Sequence, residues 1–311
     1  MCSVDRMYNF YKSRYCELLN QISSVWPEKF RDKEIKHRQN KLLTELKNSK
    51  CKNHFTKGLY GITHEIRCLR FLQSAKVEFS SALDSKNKAG PDIRYSSSVD
   101  GRCINLECTA CTYGDKSIDD QLIGSKYSIN NYEYGNVRVI TGGRKDLESI
   151  FLRRITQRII DKATGNQNKE NEPFVIWIGA GELADKCIFG ACGEILLDIL
   201  FGMEIPKVDY SSEPPRLYSL LDKKIKSNKD NNIDLGYFSN EKKESISKHI
   251  YESISGIIFS TGGLRDLYTT DNTFLFINPF AGENKKITAE DFSGTLIGAW
   301  QDKNGEYVFT K

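Results

Sequence analysis

Residues 6–48 read as helical, with apolar positions recurring at helical spacing at Tyr8, Tyr11, Leu18, Leu19, Ile22 and Trp26. Pro27 then breaks or restarts that helix. The stretch from Glu28 to Asn48 is dense in charge, with Leu42, Leu43 and Leu46 near its end, which predicts a solvated helix with a narrow apolar stripe. A stronger amphipathic pattern covers residues 56–74, where Leu59, Ile62, Ile66, Leu69 and Leu72 mark one face. Glu65 lies three after Ile62 and four before Leu69, so it borders that face. Residues 76–83 alternate like a strand. A polar loop from Asp84 to Ala89 leads to the corner Gly90-Pro91-Asp92 and a strand from Ile93 to about Ser97. Asp100-Gly101 is a hairpin signal, because tight hairpin turns need positive φ, and Cys103 to Ala110 is the returning strand.

Residues 111–145 read as loop, punctuated by Gly114, Asn130-Asn131, Gly135 and Gly142-Gly143. Helical spacing returns over 146–163, at Leu147, Ile150, Phe151, Ile155 and Ile159, and polar residues 164–172 follow as a surface loop. The unbroken apolar run Pro173 to Ile178 predicts a strand buried on both faces, ended by Gly179-Ala180-Gly181. Residues 182–201 are apolar and read as helix. Residues 204–240 are polar and read as a surface insertion, and 241–253 as a short helix. Strands are predicted at 255–259 and 273–277, with an edge hairpin from 295–300 and 307–310. Helices interleaved with strands in this way predict an α/β fold.

With 311 residues and 39% hydrophobic content, the chain has enough apolar material for one large domain or two smaller ones. Basic residues outnumber acidic ones by 45 to 41, a net charge of +4 that admits nucleic-acid binding without arguing for it. No run is long enough to span a bilayer, and no apolar signal-peptide core follows Met1, so a soluble, cytoplasmic protein is expected. The nine cysteines read as reduced thiols of a reducing compartment. Cys108-x-x-Cys111 has zinc spacing, but Cys187 and Cys192 are too widely spaced for a second tight pair, so buried thiols are preferred. The basic residues Lys29, Arg31, Lys33, Lys36, His37, Arg38 and Lys41 read as a wet helix face ahead of phosphate contacts.

Chemistry enters with Glu107, a carboxylate inside the apolar run Ile104-Asn105-Leu106-Glu107-Cys108-Thr109. A charge in a buried strand needs compensation. An arginine such as Arg94 or Arg102 could supply it, and so could a divalent cation shared with Asp92. Paired carboxylates on a metal are the usual apparatus for hydrolysing phosphodiesters. Glu65 on its helix, the Pro91-Asp92 corner, the hairpin carrying Glu107-Cys108-Thr109, then a helix and a buried strand resemble the restriction-endonuclease-like, or PD-(D/E)xK, nucleases over about residues 56–180. That family has Lys two residues after the strand Glu, where this chain has Thr109. The segment Phe151 to Lys162 before Pro173-Phe174-Val175-Ile176 is similar to a bacterial subgroup in which the lysine has moved onto that helix.

The resemblance implies a restriction-endonuclease-like mixed central β-sheet flanked by helices. Residues 1–55 then form an N-terminal helical extension. Residues 56–311 form a nuclease-like α/β domain with the insertion at about 204–240. It implies a metal-dependent nuclease, on DNA ahead of RNA. Mg²⁺ or Mn²⁺ would be held by Asp92, Glu107 and the backbone carbonyl of Cys108, and Glu65 would hold a second metal or orient a water. Lys162 would replace the missing lysine, with Lys126, Lys116 and Gln157 ranked behind it. His64 reads as a structural histidine. The alternatives are a catalytically degenerate nuclease-fold module that binds nucleic acid or a protein partner, and more distantly a zinc-stabilised structural protein. A homodimer is admitted, and no membrane partner is expected.

Overall fold

A computed structural model of the chain describes residues 3–52, 55–75, 77–80, 82, 90–97, 99–111, 131–134, 137–140, 154–156, 158–163, 165, 171–180, 200, 207–209, 216–218, 225–226, 232–233, 253–278, 281–292, 297–301 and 307–310. It is a mixed α/β structure. Helix α1 (Ser3–Gln21) ends in a 3₁₀ turn, Ile22–Val25, and α2 (Glu28–Lys52) restarts where the Pro27 carbonyl accepts the N–H groups of Phe30 (2.9 Å) and Arg31 (3.1 Å). Helix α3 (Lys57–Ser74) is capped by Thr56, whose side-chain oxygen accepts from the Leu59 N–H at 3.1 Å.

One eight-stranded sheet follows chain order: β1 (Glu78–Ser80), β2 (Ile93–Ser96), β3 (Cys103–Ala110), β4 (Phe174–Gly179), β5 (Gly256–Ser260), β6 (Thr273–Ile277), β7 (Ile297–Gln301) and β8 (Tyr307–Thr310). The joints β3/β4, β4/β5 and β6/β7 are parallel, and the others are antiparallel. The β2–β3 turn closes with the Ser97 N–H on the Arg102 carbonyl at 2.8 Å, and Gly101 takes the positive φ of 72° that the Asp-Gly signal requires.

Side chains alternate across the sheet and sort onto two faces. Leu106, Val175, Trp177, Ile258 and Leu275 share a core with α1, α2 and α3, to which Tyr15, Leu19, Ile22, Leu42 and Leu46 belong. Glu107 is turned to the other side, where it meets the helical residues 158–163. Those residues belong to the stretch between the parallel strands β3 and β4, which needs a crossover.

The structure departs from the sequence pattern in three places. Within the expected 111–145 loop, Asn131–Tyr134 pairs antiparallel with Val137–Ile140. Tyr132, Tyr134, Val137 and Val139 are strand formers, a signal outweighed in the sequence reading by the neighbouring glycines and asparagines. The polar insertion contains two further ribbons, Lys207–Asp209 with Arg216–Tyr218 and Ile225–Lys226 with Asn232–Ile233. Helix α2 is not simply a wet helix, since it buries Glu34, Arg38 and Ser49 beside Leu42 and Leu46. The expected helices at 182–201 and 241–253 lie, but for residues 200 and 253, outside the described residues. Among the described residues no helix is long and apolar enough to cross a membrane.

Candidate active site at the start of β2

Three carboxylates converge where β2 begins. Asp92 directly precedes β2, and its Oδ2 accepts the Cys108 N–H of β3 at 2.9 Å. Glu107 is 1% exposed and lies against both the carboxyl and the backbone N–H of Asp92. Glu65 arrives from α3 and is 4% exposed. The crowding shows in the acidity of Asp92: burial, then Glu65, then Glu107 push it up from an ordinary 3.8 to about 8, against the opposing pull of Lys41 and Lys162. Burial likewise pushes Glu107 up, while Lys162 pulls it down.

Two lysines reach this cluster. Lys162 Nζ donates to Glu107 Oε1 and has a quarter-exposed side chain. Lys41 Nζ stands 3.3 Å from Glu65 Oε2 at the solvent edge. Thr109 is buried on the Glu107 side of β3 and brings no charge. Beneath Lys41, Arg38 is 2% exposed and anchors three groups. Its Nε lies 2.8 Å from Glu65 Oε1, its Nη2 donates to the Asp92 carbonyl at 2.8 Å, and its Nη1 binds Glu34 Oε2. Burial alone would lower the Arg38 pKa, but Glu65 and Glu34 more than offset it, so the guanidinium is held above its ordinary value.

The structure therefore brings Glu65, Asp92, Glu107 and Lys162 together. Lys126, Lys116 and Gln157 lie outside the described residues. The arginine alternatives for Glu107 are engaged elsewhere: Arg94 with Glu172 at 2.9 Å and Arg102 with Asp291 at 3.2 Å. Sequence reasoning missed Lys41 and Arg38 as site residues, having read both as part of a wet face. The i,i+4 Glu34–Arg38 spacing was the one available signal, and it is equally common on exposed helices.

A hard divalent cation fits the donor set. Glu107 Oε2 is buried and makes no hydrogen bond of good geometry among the described residues, although the carboxyl and N–H of Asp92 lie beside Glu107, and burial, then Glu65, then Glu107 push the Asp92 pKa up to about 8. Oxygen donors of this kind suit Mg²⁺ or Mn²⁺. Alternation along β3 turns the Cys108 carbonyl to the same edge as its N–H, past the start of β2, where it could add a third oxygen.

His64, Cys68 and Cys108 form a separate group whose ligand atoms all lie within 4.8 Å of one another. Both nitrogens of His64 are engaged: Nε2 lies 2.9 Å from the Trp177 carbonyl, so it carries the proton, and Nδ1 accepts from Tyr268 at 2.6 Å. Burial, then Arg67, lowers the His64 pKa to about 3. A soft cation could bind here only by displacing Tyr268. Gly179 leaves the room for this contact, since a Cβ there would sit 2.6 Å from His64 Nδ1. Cys111 lies near Arg154 and Arg158, whereas Cys108 lies beside Cys68, so the two thiols of the zinc-like spacing have different surroundings.

The Asp92 proton makes a measurable prediction. A native pKa raised from 3.8 to about 8 means that the folded state holds a proton the unfolded state has lost. The stability from this group is full below pH 3.8 and declines as pH rises through about 8. Mg²⁺ or Mn²⁺ must displace that proton, so affinity should rise about tenfold per pH unit below the native pKa. Calorimetric titration at neutral pH, in buffers of different ionisation enthalpy, should count close to one proton released. A count near zero would contradict the assignment.

No family model matches the chain, and neither a curated protein nor a solved structure matches it.

Proposed function

We propose that this chain is a Mg²⁺- or Mn²⁺-dependent nuclease that hydrolyses phosphodiester bonds, in DNA ahead of RNA, on a restriction-endonuclease-like fold. The observation that carries the reading is the convergence of Glu65 and Glu107 on Asp92, with one Glu107 oxygen buried and without a hydrogen bond of good geometry among the described residues and Lys162 on the other. The order α3, antiparallel β1–β2–β3, helical residues 158–163 and parallel β4 supports the fold assignment. The preference for DNA rests on the family resemblance alone.

Asp92, Glu107 and the Cys108 carbonyl would hold the cation. Once bound, it would lower the pKa of a coordinated water and polarise the phosphate. Glu65 is fixed by Arg38 and Lys41 and would orient a water at the cluster. Lys162, released from direct pairing with Glu107, would aim its ammonium at charge developing on the phosphate oxygens. That is the task Thr109 cannot perform.

The test is cleavage of linear DNA, circular DNA and RNA with Mg²⁺, Mn²⁺ or EDTA. Metal-dependent cutting that EDTA abolishes is expected. Lys162→Ala should lower turnover while leaving metal-induced stabilisation in place, and unchanged turnover would remove Lys162 from the mechanism. The direct ion pair of Lys162 with Glu107 also favours a second reading, a degenerate module in which the ammonium takes the cation's position. Nucleic-acid binding with no cleavage under any metal would select that reading.

A further inference from the structure

We infer that the outer face of α2 is a docking track for the backbone of duplex DNA, continuous with the carboxylate site through Lys41. The inference rests on the nuclease reading for its occupant and on the charge layout of α2 for its location.

The whole chain is nearly balanced in charge, yet α2 is sorted beyond its start, where Glu28 and Asp32 are exposed beside Lys29 and Lys33. Between Lys33 and Lys50 every exposed position is basic or neutral and polar, with Lys33, Lys36, His37, Lys41 and Lys47 among them. The two carboxylates of that stretch are turned inward. Glu34 is fully buried against Arg38 and the Ala82 N–H, and Glu45 accepts from the Thr56 hydroxyl at 2.7 Å. A helix exposed only for solubility usually mixes both signs on its wet face. An exposed face of one sign is the electrostatic footprint of a polyanion.

The track has a direction. Lys33, His37 and Lys41 are spaced four residues apart and so form one ridge along the helix. Lys41 ends that ridge at Glu65, where its side chain is 44% exposed. From Lys33 to Lys47 the helix rises about 21 Å, roughly six base-pair steps of a duplex. A small phosphodiester would touch only Lys41. A polynucleotide whose scissile phosphate sits at Asp92 and Glu107 would lay its neighbouring phosphates along the ridge.

The experiment is fluorescence anisotropy of the full chain with a labelled DNA duplex of about 20 base pairs, longer than the track, over a series of salt concentrations in EDTA. Lys33→Gln with Lys36→Gln should weaken binding and lower the slope of log Kd against log salt by about two. Lys41→Gln should lower it by about one. Lys12→Gln, exposed on α1, should leave it unchanged. Unchanged slopes in the α2 variants overturn the track, as does tighter binding of an RNA duplex or no DNA binding at all. The Asp92→Asn variant separates the two ideas. Binding that keeps its dependence on the α2 lysines, with no cleavage by the wild type, removes the nuclease reading and leaves the track. Wild-type cleavage that is indifferent to the lysines removes the track alone.

Discussion

Glu107→Gln is expected to reduce metal-dependent cleavage by about 100- to 1000-fold or more, the size of losing one preorganised charged group at a reacting centre. Glutamine keeps the shape and an acceptor for Lys162 but removes a negative charge from a pocket that already crowds Asp92. The fold should therefore survive the change. Lys162 loses its ion-pair partner, but its quarter-exposed side chain can turn to water. Without metal, the melting temperature should not fall, because a buried carboxylate with one oxygen lacking a hydrogen bond of good geometry among the described residues has been neutralised. Mg²⁺ should then cease to raise it, since the stabilisation that ligand binding confers depends on the site. These readouts separate a lost site from a lost fold. Wild-type cleavage by the glutamine variant would defeat the proposed metal centre. A collapse of the metal-free melting temperature would show that Glu107 serves chiefly the structure.

Arg38→Met is expected to destabilise the protein by about 3–5 kcal/mol, the cost of breaking a buried ion pair from one side. Arg38 is held by Glu34 and Glu65, and both acids are themselves buried. Methionine would preserve part of the packing against Trp26, over whose ring the guanidinium lies at 5.1 Å, but would take from Glu34 and Glu65 the guanidinium they share and leave Glu65 with the partly exposed Lys41. Urea unfolding should show a lower midpoint with an unchanged slope. Adding Glu34→Gln and Glu65→Gln should recover much of the loss, because the cost lies in the unpaired charges and not in the missing arginine volume. A loss under about 1 kcal/mol would place the pair in the weak class of surface salt bridges. The same guanidinium holds the Asp92 carbonyl, so cleavage should drop further than the stability loss alone explains.

The secondary-structure pattern was legible wherever neighbouring residues carry it. The α3 stripe, the Asp100-Gly101 turn and the unbroken run of β4 all appear where their periodicity puts them. Such signals are local, because pleat and helical pitch act over a few residues. Glu107 was legible for a different reason: a carboxylate in an apolar strand conflicts with its surroundings, and conflicts of that kind mark function. The ribbon at 131–140 was missed because glycine and asparagine mark loops and hairpin turns alike.

Which charges are buried was not legible. Arg38 and Lys36 look equivalent along α2, yet one lies under the site and the other faces water. Period and composition settled the elements and singled out two acids on adjoining strands. Docking of α2 on α3, and of the crossover segment on β3, decided that Lys41 reaches Glu65 across 24 residues of chain and that Lys162 reaches Glu107 across 55. A buried charge is stable only beside its partner, and partners so far apart meet only once the helices and sheet have packed.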